Sequence, residues 1–288
     1  MYMAERYSRT AKPSDLAVAH CNFRLRGEES DGDEAFVRAW CARKGIEMYT
    51  AAFDTAACAS DSGISIEMAA RELRYAWFAE LCREHGFDAV AVAHNANDNA
   101  ETMMLNLLRG TGGKGIQGMK EEGLVPGAAD VKLLRPLLRV SREEIHRFMT
   151  SEGLKWREDH TNAENIYKRN KIRNEIFPLF AQINPAFLKA LGRDMAHLGQ
   201  EHEIAERYFR SCALPSLEAG LNLRSLMTLD SWEWLLFRLC EPYNLSEETF
   251  DKLVALLKSG LTISSKTFES PTHLLYIKGK ELYAAPRI

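Results

Sequence analysis

The stretch at residues 91–120, AVAHNANDNAETMMLNLLRGTGGKGIQGMK, constrains the fold more than any other part of the chain. It opens as an apolar strand and stops at a histidine. It then passes into a segment whose apolar positions 100, 103, 104, 107 and 108 mark an amphipathic helix. The same order of events occurs upstream. Leu16–His20 (LAVAH) is an apolar run closed by a polar end, Glu34–Arg43 reads as a helix, and Glu47–Phe53 as a second short strand. From Ile66 the apolar positions 66, 69, 70, 73 and 77 keep helical spacing, with Glu67, Arg71 and Arg74 on the other face; Ala89–His94 is the next strand. Strands alternating with helices predict an α/β fold with a doubly wound, mostly parallel sheet. Ligands of such sheets bind at the carboxyl ends of the strands, where LAVAH and AVAH deliver their histidines.

The texture changes past Lys132. LLRPLLRVSREEI leads into a helix expected to be capped by Ser141, with Glu144 at capping-box spacing. Beyond Asn184 the pattern is mainly helical, around 195–212, 231–240 and 247–258, and HLLYIKGKELYAA alternates about Lys278-Gly279-Lys280 as a β-hairpin does. Two prolines and an asparagine within 178–186 suggest a joint. The expected organisation is an α/β domain over 1–182, a helical domain over 183–260 and a β-containing region from 261 to 288. A net charge of −3 excludes a surface that grips nucleic acid all round, but permits a local basic patch. Six scattered cysteines, without metal-ligand spacing, predict reduced core thiols. With no apolar run long enough to span a membrane and no secretory h-region, they give a cytoplasmic expectation with no membrane partner.

Three clusters carry candidate chemistry. Asp98 and Glu101 read either as an N-cap carboxylate with its N3 glutamate, or as part of an anion site at a helix N-terminus. In the second reading His94 touches phosphate, while the carboxylates hold Mg²⁺ or orient an amine. The run Arg109-Gly110-Thr111-Gly112-Gly113-Lys114-Gly115 has the composition of a phosphate cradle without Walker A spacing, and a helix C-cap equally explains its glycines. Lys168-Arg169-Asn170-Lys171-Ile172-Arg173 puts four cations in six residues: either a solvated helix face or a contact for a phosphate backbone.

Five segments, AHCNFRLRGEESDGDEAFV, ISIEMAARELRYAWF, AVAHNANDNAETMMLNLLRGTG, LLRPLLRVSREEI and EDHTNAENIYKRNKIRNEIFPLF, resemble in this order the successive signatures of the tRNA(Ile)-lysidine synthetases. These belong to the N-type ATP pyrophosphatase (PP-loop) group, and the resemblance runs from about Leu16 to Leu198. It implies a ligase that uses ATP, with Mg²⁺, to adenylate C2 of the wobble cytidine in tRNA(Ile) with a CAU anticodon. Free L-lysine then attacks to give lysidine and AMP. A homodimer would be unsurprising. The resemblance places His20 and Asn22 near adenine, with Arg26 and Gly27 in the following loop. It aligns His94, Asp98 and Glu101 with the element beside the phosphates and reacting centre, and Arg109, Gly110, Thr111 and Gly112 with the Arg-Gly-Thr-Gly loop. Asp159, Thr161, Asn162, Arg169, Asn170, Lys171 and Arg173, with Lys168 beside them, align with segments for tRNA handling and active-site closure.

Two departures stand out. Asn95 replaces the family's second histidine, and Asn97 the first of its paired aspartates. No Ser-Gly-Gly-x-Asp-Ser loop precedes LAVAH, so the family's first strand and pyrophosphate loop are expected to be absent, leaving a core face uncovered beside residues 16–20. Two other readings therefore accompany the ligase: a disabled homologue that only binds tRNA, and another PP-loop tRNA-modifying enzyme.

Overall fold

The computed structural model of the protein describes residues 16–157, 168–260 and 265–287; Asp159, Thr161 and Asn162 lie outside them. The first part runs β1 (Ala17–Asn22), α1 (Glu28–Lys44), β2 (Glu47–Ala52), α2 (Thr55–Ser62), α3 (Ile66–His85), β3 (Ala89–Ala91) and α4 (Ala96–Arg109). There follow α5 (Gly112–Ile116), β4 (Glu122–Val125), β5 (Ala128–Leu134), α6 (Arg142–Ser151) and α7 (Lys168–Lys171). A π-helical turn (Ile172–Ile176) then joins α7 to α8 (Phe177–Ile183) and α9 (Phe187–Ser211). The last part holds β6 (Leu221–Asn222), α10 (Leu223–Leu226), α11 (Trp232–Cys240), α12 (Glu247–Lys258), β7 (Thr267–Glu269), β8 (His273–Lys278) and β9 (Glu281–Pro286).

The expected parallel pairing is present, but in two pieces. β1 and β2 pair in parallel from Ala17↔Glu47 to Asn22↔Ala52. β3 pairs in parallel with β5, and β4 adds antiparallel to β5, in the order β3-β5-β4. Each of β1 and β3 therefore has one hydrogen-bonded neighbour among the described residues. A strand covered on both faces should be nearly solvent-free, yet in β1 only Asn22 is buried and Ala19 is exposed. The β4–β5 hairpin went unread in the sequence because Glu122, Gly123 and Asp130 weaken its strand pattern. Its Pro126-Gly127 turn was the available signal, with Gly127 at φ +80°. On α3 the core face is Tyr75, Ala79 and Cys82 against Val125, Val131 and Leu133, while Ile66 is exposed.

Contacts divide the chain between Gly199 and Gln200, inside α9. The turn at Asn184 and Pro185 thus lies within the first unit, where Phe177, Phe180, Phe187 and Leu191 pack on Ala100 of α4. In the second unit helices and sheet share one core: Leu235, Leu236, Leu253, Leu275 and Leu282 are fully buried together. The expected hairpin forms there as β8–β9, extended on either side to a four-stranded sheet β6-β9-β8-β7. Gly279, at φ +65°, takes the first turn position that a two-residue hairpin requires. Truncating Leu253 to Ala should cost about 2–5 kcal/mol of stability, read by urea denaturation. A loss under about 1 kcal/mol would mean that this core repacks around the gap.

Candidate functional site

The strand-to-helix turn after β3 is organised by a capping box three residues earlier than the carboxylate spacing suggests. Asn95 is the N-cap of α4: its Oδ1 accepts from the Asp98 amide at 3.1 Å, and Asp98 Oδ2 accepts from the Asn95 amide at 3.0 Å. Asp98 is thus the N3 residue rather than the cap. Asn97 Oδ1 accepts from the Arg142 amide at 2.9 Å, and the Ala96 amide donates to Val140 O, which stitches the N-termini of α4 and α6 together. The two asparagines that depart from the family pattern therefore have geometric work. The predicted Ser141–Glu144 box caps α6, with Glu144 Oε2 accepting from the Ser141 amide at 2.8 Å. Asn99 Oδ1 accepts from the Met119 amide at 2.6 Å. A Cβ on Gly118 (φ +72°) would meet that oxygen at 2.6 Å, so the chain there tolerates only glycine.

Released from capping, Glu101 turns inward and is fully buried. Arg173 grips it with both arms, Nε to Oε1 at 2.7 Å and Nη2 to Oε2 at 3.0 Å. Arg169 Nε lies 2.9 Å from Oε2 as an ion pair without hydrogen-bond alignment, while its Nη2 donates to Thr102 Oγ1 at 2.7 Å and to Asp98 O at 3.2 Å. Arg169 and Arg173 are four residues apart and emerge on one side of α7 and the π turn, pinned by Ile172 and Ile176 packing near Ala100 and Met104. The structure thus joins two groups that the sequence assigned to different tasks, the carboxylates of α4 and part of the basic run. Lys168 and Lys171 face solvent, whereas Asn170 is buried.

His94 closes the other side of this cluster. Its Nδ1 is buried without a hydrogen-bond partner, as is Arg135 Nε. Burial holds the imidazole below its ordinary pKa; Asp98 opposes this, and Arg135, Arg169 and Arg71 add to it. Five arginines (71, 135, 142, 169 and 173) therefore surround His94, Asp98 and Glu101. The surplus of positive charge and an orphaned ring nitrogen suit an anionic ligand. The backbone contributes little, because the Ala96, Asp98 and Asn99 amides at the start of α4 are already bonded. Sequence reasoning does not assign Arg71, Arg135 or Arg142 to the site, although Arg71 lies in the segment ISIEMAARELRYAWF and Arg135 and Arg142 in LLRPLLRVSREEI.

The remaining predicted residues lie apart. Asn22 is buried at the end of β1 and donates to Asp31 at 2.9 Å and Glu34 at 3.3 Å; Arg26 Nη2 bonds Asp33 at 2.8 Å. Half-buried His20 is held below its ordinary pKa by burial, against the pull of Glu34 and Asp33. Arg109, Gly110, Thr111 and Gly112 are exposed at the far end of α4, roughly 20 Å along its axis from Asn95 at 1.5 Å per residue. Gly110 is the left-handed C-cap, φ +72°. Asp98 and Glu101 do not fit a Mg²⁺ site: both Glu101 oxygens face arginines, Asp98 Oδ2 is the cap, and no cluster of metal-ligating side chains occurs among the described residues.

Glu101→Gln should leave Arg169 and Arg173 uncompensated and cost about 3–5 kcal/mol in urea denaturation. A loss below about 1 kcal/mol would show that solvent screens the arginines. For His94 the sign follows from its depressed native pKa: below about pH 6.5, the ordinary value, the unfolded state binds the proton more readily. Stability contributed by neutral His94 is full above that pH and lost as pH falls through it. His94→Gln should flatten this part of the stability–pH curve, and an unchanged slope would place its origin elsewhere.

With this geometry in hand, comparison with known proteins is direct. The family model of the PP-loop domain matches residues 1–180. The tRNA(Ile)-lysidine synthase of Bacteroides thetaiotaomicron is 40% identical over 226 residues, 78% of this chain and 51% of that protein. Those of Porphyromonas gingivalis (strain ATCC 33277) and Chlorobaculum tepidum are 35% and 42% identical, over 94% and 72% of this chain and 58% and 60% of theirs. The chain thus spans between half and three-fifths of the length of these curated relatives. Among solved structures, the U34-tRNA thiolase NcsA from Methanococcus maripaludis superposes with a TM-score of 0.55 at 19% identity, over 68% of this chain and 66% of that one, a likeness of fold alone. No helix among the described residues is long and apolar enough to cross a membrane. By the match over residues 1–180, the chain belongs to the PP-loop domain family.

Proposed function

We propose that this chain is a tRNA(Ile)-lysidine synthase, which joins free L-lysine to C2 of the wobble cytidine of tRNA(Ile) at the expense of ATP. The observation that carries the reading is the cluster of arginines around His94 and its unpartnered Nδ1, set in a chain 35–42% identical to tRNA(Ile)-lysidine synthases. When bound, ATP supplies the activation of the cytidine carbonyl carbon. Arg71, Arg135 and Arg169 would hold its phosphates, and neutral His94 offers Nδ1 to a ligand oxygen or ring nitrogen. Asp98 has one oxygen free of capping: Oδ1 lies 3.6 Å from Arg173 and 3.9 Å from Arg142, beyond hydrogen-bonding distance. That oxygen is the one suited to orient the lysine ammonium and take its proton before attack. Glu101 works indirectly, by holding Arg169 and Arg173 in place. Solvent-facing Lys168 and Lys171 supply the contact with the tRNA backbone. The setting is cytoplasmic, and a homodimer is compatible with it.

A tRNA-only reading is favoured by one observation: Asn95 and Asn97, where the family carries a histidine and an aspartate, serve as caps. Incubating the chain with a tRNA(Ile) transcript, ATP and radiolabelled lysine separates the two. Label retained on the tRNA, with release of pyrophosphate and AMP, is expected; binding without label would favour the tRNA-only reading. Asp98→Asn should lower lysine transfer by about 10²-fold or more with tRNA affinity kept; a change in affinity alone would reassign Asp98. Lys168→Glu with Lys171→Glu should weaken tRNA binding and reduce its salt slope by about two. An unaltered slope would make the exposed lysines a solvated face.

A further inference from the structure

The outer face of the second unit's sheet carries an aromatic stack that stops short. Tyr276 of β8 and Tyr283 of β9 are directly opposite in register, with ring centroids 5.5 Å apart and planes within 15°. Tyr283 is closed off on its far side by Gly220, where a Cβ would stand 2.6 Å from the ring. On the other side of Tyr276 the opposite residue is Thr267, too short to continue the stack. A hollow of about 360 Å³ lies there, lined by Lys266, Thr267, Leu274, Tyr276 and Lys278.

The charges around it are unbalanced. Glu269 pairs with Arg287 at 3.2 Å, and Glu281 accepts from the Tyr283 hydroxyl. Lys266, Lys278 and Lys280 are exposed and have no acidic partner among the described residues. The face of Tyr276 turned away from Tyr283 thus borders a slot that one further ring would fill, with lysines at the rim. Stacking on an aromatic side chain beside cations is how sheets hold single-stranded nucleic acid, and it tolerates any base.

We propose that this hollow binds an unpaired nucleotide of an RNA strand, its base stacked on Tyr276 and its flanking phosphates beside Lys266 and Lys278. The choice of RNA rests on the proposed tRNA substrate; the stacking site itself does not require lysine ligation. The test is fluorescence-anisotropy binding of a labelled single-stranded adenosine hexaribonucleotide to the full chain, without ATP or lysine. Tyr276→Ala should weaken binding about tenfold, the worth of one stacked base, and Tyr276→Phe should bind within about twofold of the unaltered chain. Lys266→Gln with Lys278→Gln, which leaves the core untouched, should lower the salt slope by about 1.4, near 0.7 per phosphate on a single strand. Independently of any variant's folding, a 5-bromouridine hexamer irradiated with the unaltered chain should crosslink to Tyr276. Equal binding by Tyr276→Ala, adducts only elsewhere, or equal competition by an RNA duplex or by AMP would overturn the proposal. Failure of lysine transfer with hexamer binding intact would count against the ligase reading alone; loss of Tyr276-dependent binding with transfer intact would count against this site alone.

Discussion

A buried carboxylate held by two arginines is the constraint around which the first unit is arranged. A carboxylate buried as deeply as Glu101 is costly to the fold without partners, and the partners arrive from a distant segment, α7 and the π turn. Arg169 and Arg173 meet that requirement from one side of the segment, while Ile172 and Phe177 pack it against Ala100 of α4. The same requirement also settles how the start of α4 is capped. With Glu101 committed inward, the capping box falls to Asn95 and Asp98, and only one oxygen of Asp98 is left outside it.

From this arrangement follows the electrostatics of the cluster. Two of the five arginines are consumed largely by Glu101, while Arg71 and Arg135 face His94 with little to neutralise them. Burial and positive charge together keep His94 neutral, so at pH 7 it acts as a hydrogen-bonding group rather than a cation. An anion entering the cluster would gain from the arginines and reverse the pressure on the imidazole.

How legible this was in the sequence depends on the range of the interaction. Local signals carried through: the parallel strands, the Ser141–Glu144 box and the hairpin at Gly279 all follow from periodicity and turn chemistry, although β1 runs on to Asn22 and β3 stops at Ala91, short of His94. The Asn95 cap was obscured because Asn95, Asn97, Asp98 and Asn99 are all competent N-cap residues in a row. The Glu101–Arg173 pair, 72 residues apart, has no local signature; a cluster of four cations reads as solvated until its acidic partner is found on another helix. The distance between Arg109 and His94 is equally hidden in the sequence: 14 helical residues turn near neighbours into opposite ends of a rod. The division of the sheet between β1 and β3 falls beside residues 16–20, where the absence of the family's first strand is expected to leave a face uncovered.

The most direct measurement is the NMR titration of the His94 imidazole, with and without ATP. If the arginines around His94 receive the nucleotide's phosphates, the His94 pKa should rise on addition of ATP, and Arg135→Met should abolish the change. A His94 titration indifferent to ATP at saturating nucleotide would contradict the assignment of this cluster as the place where the phosphates are held.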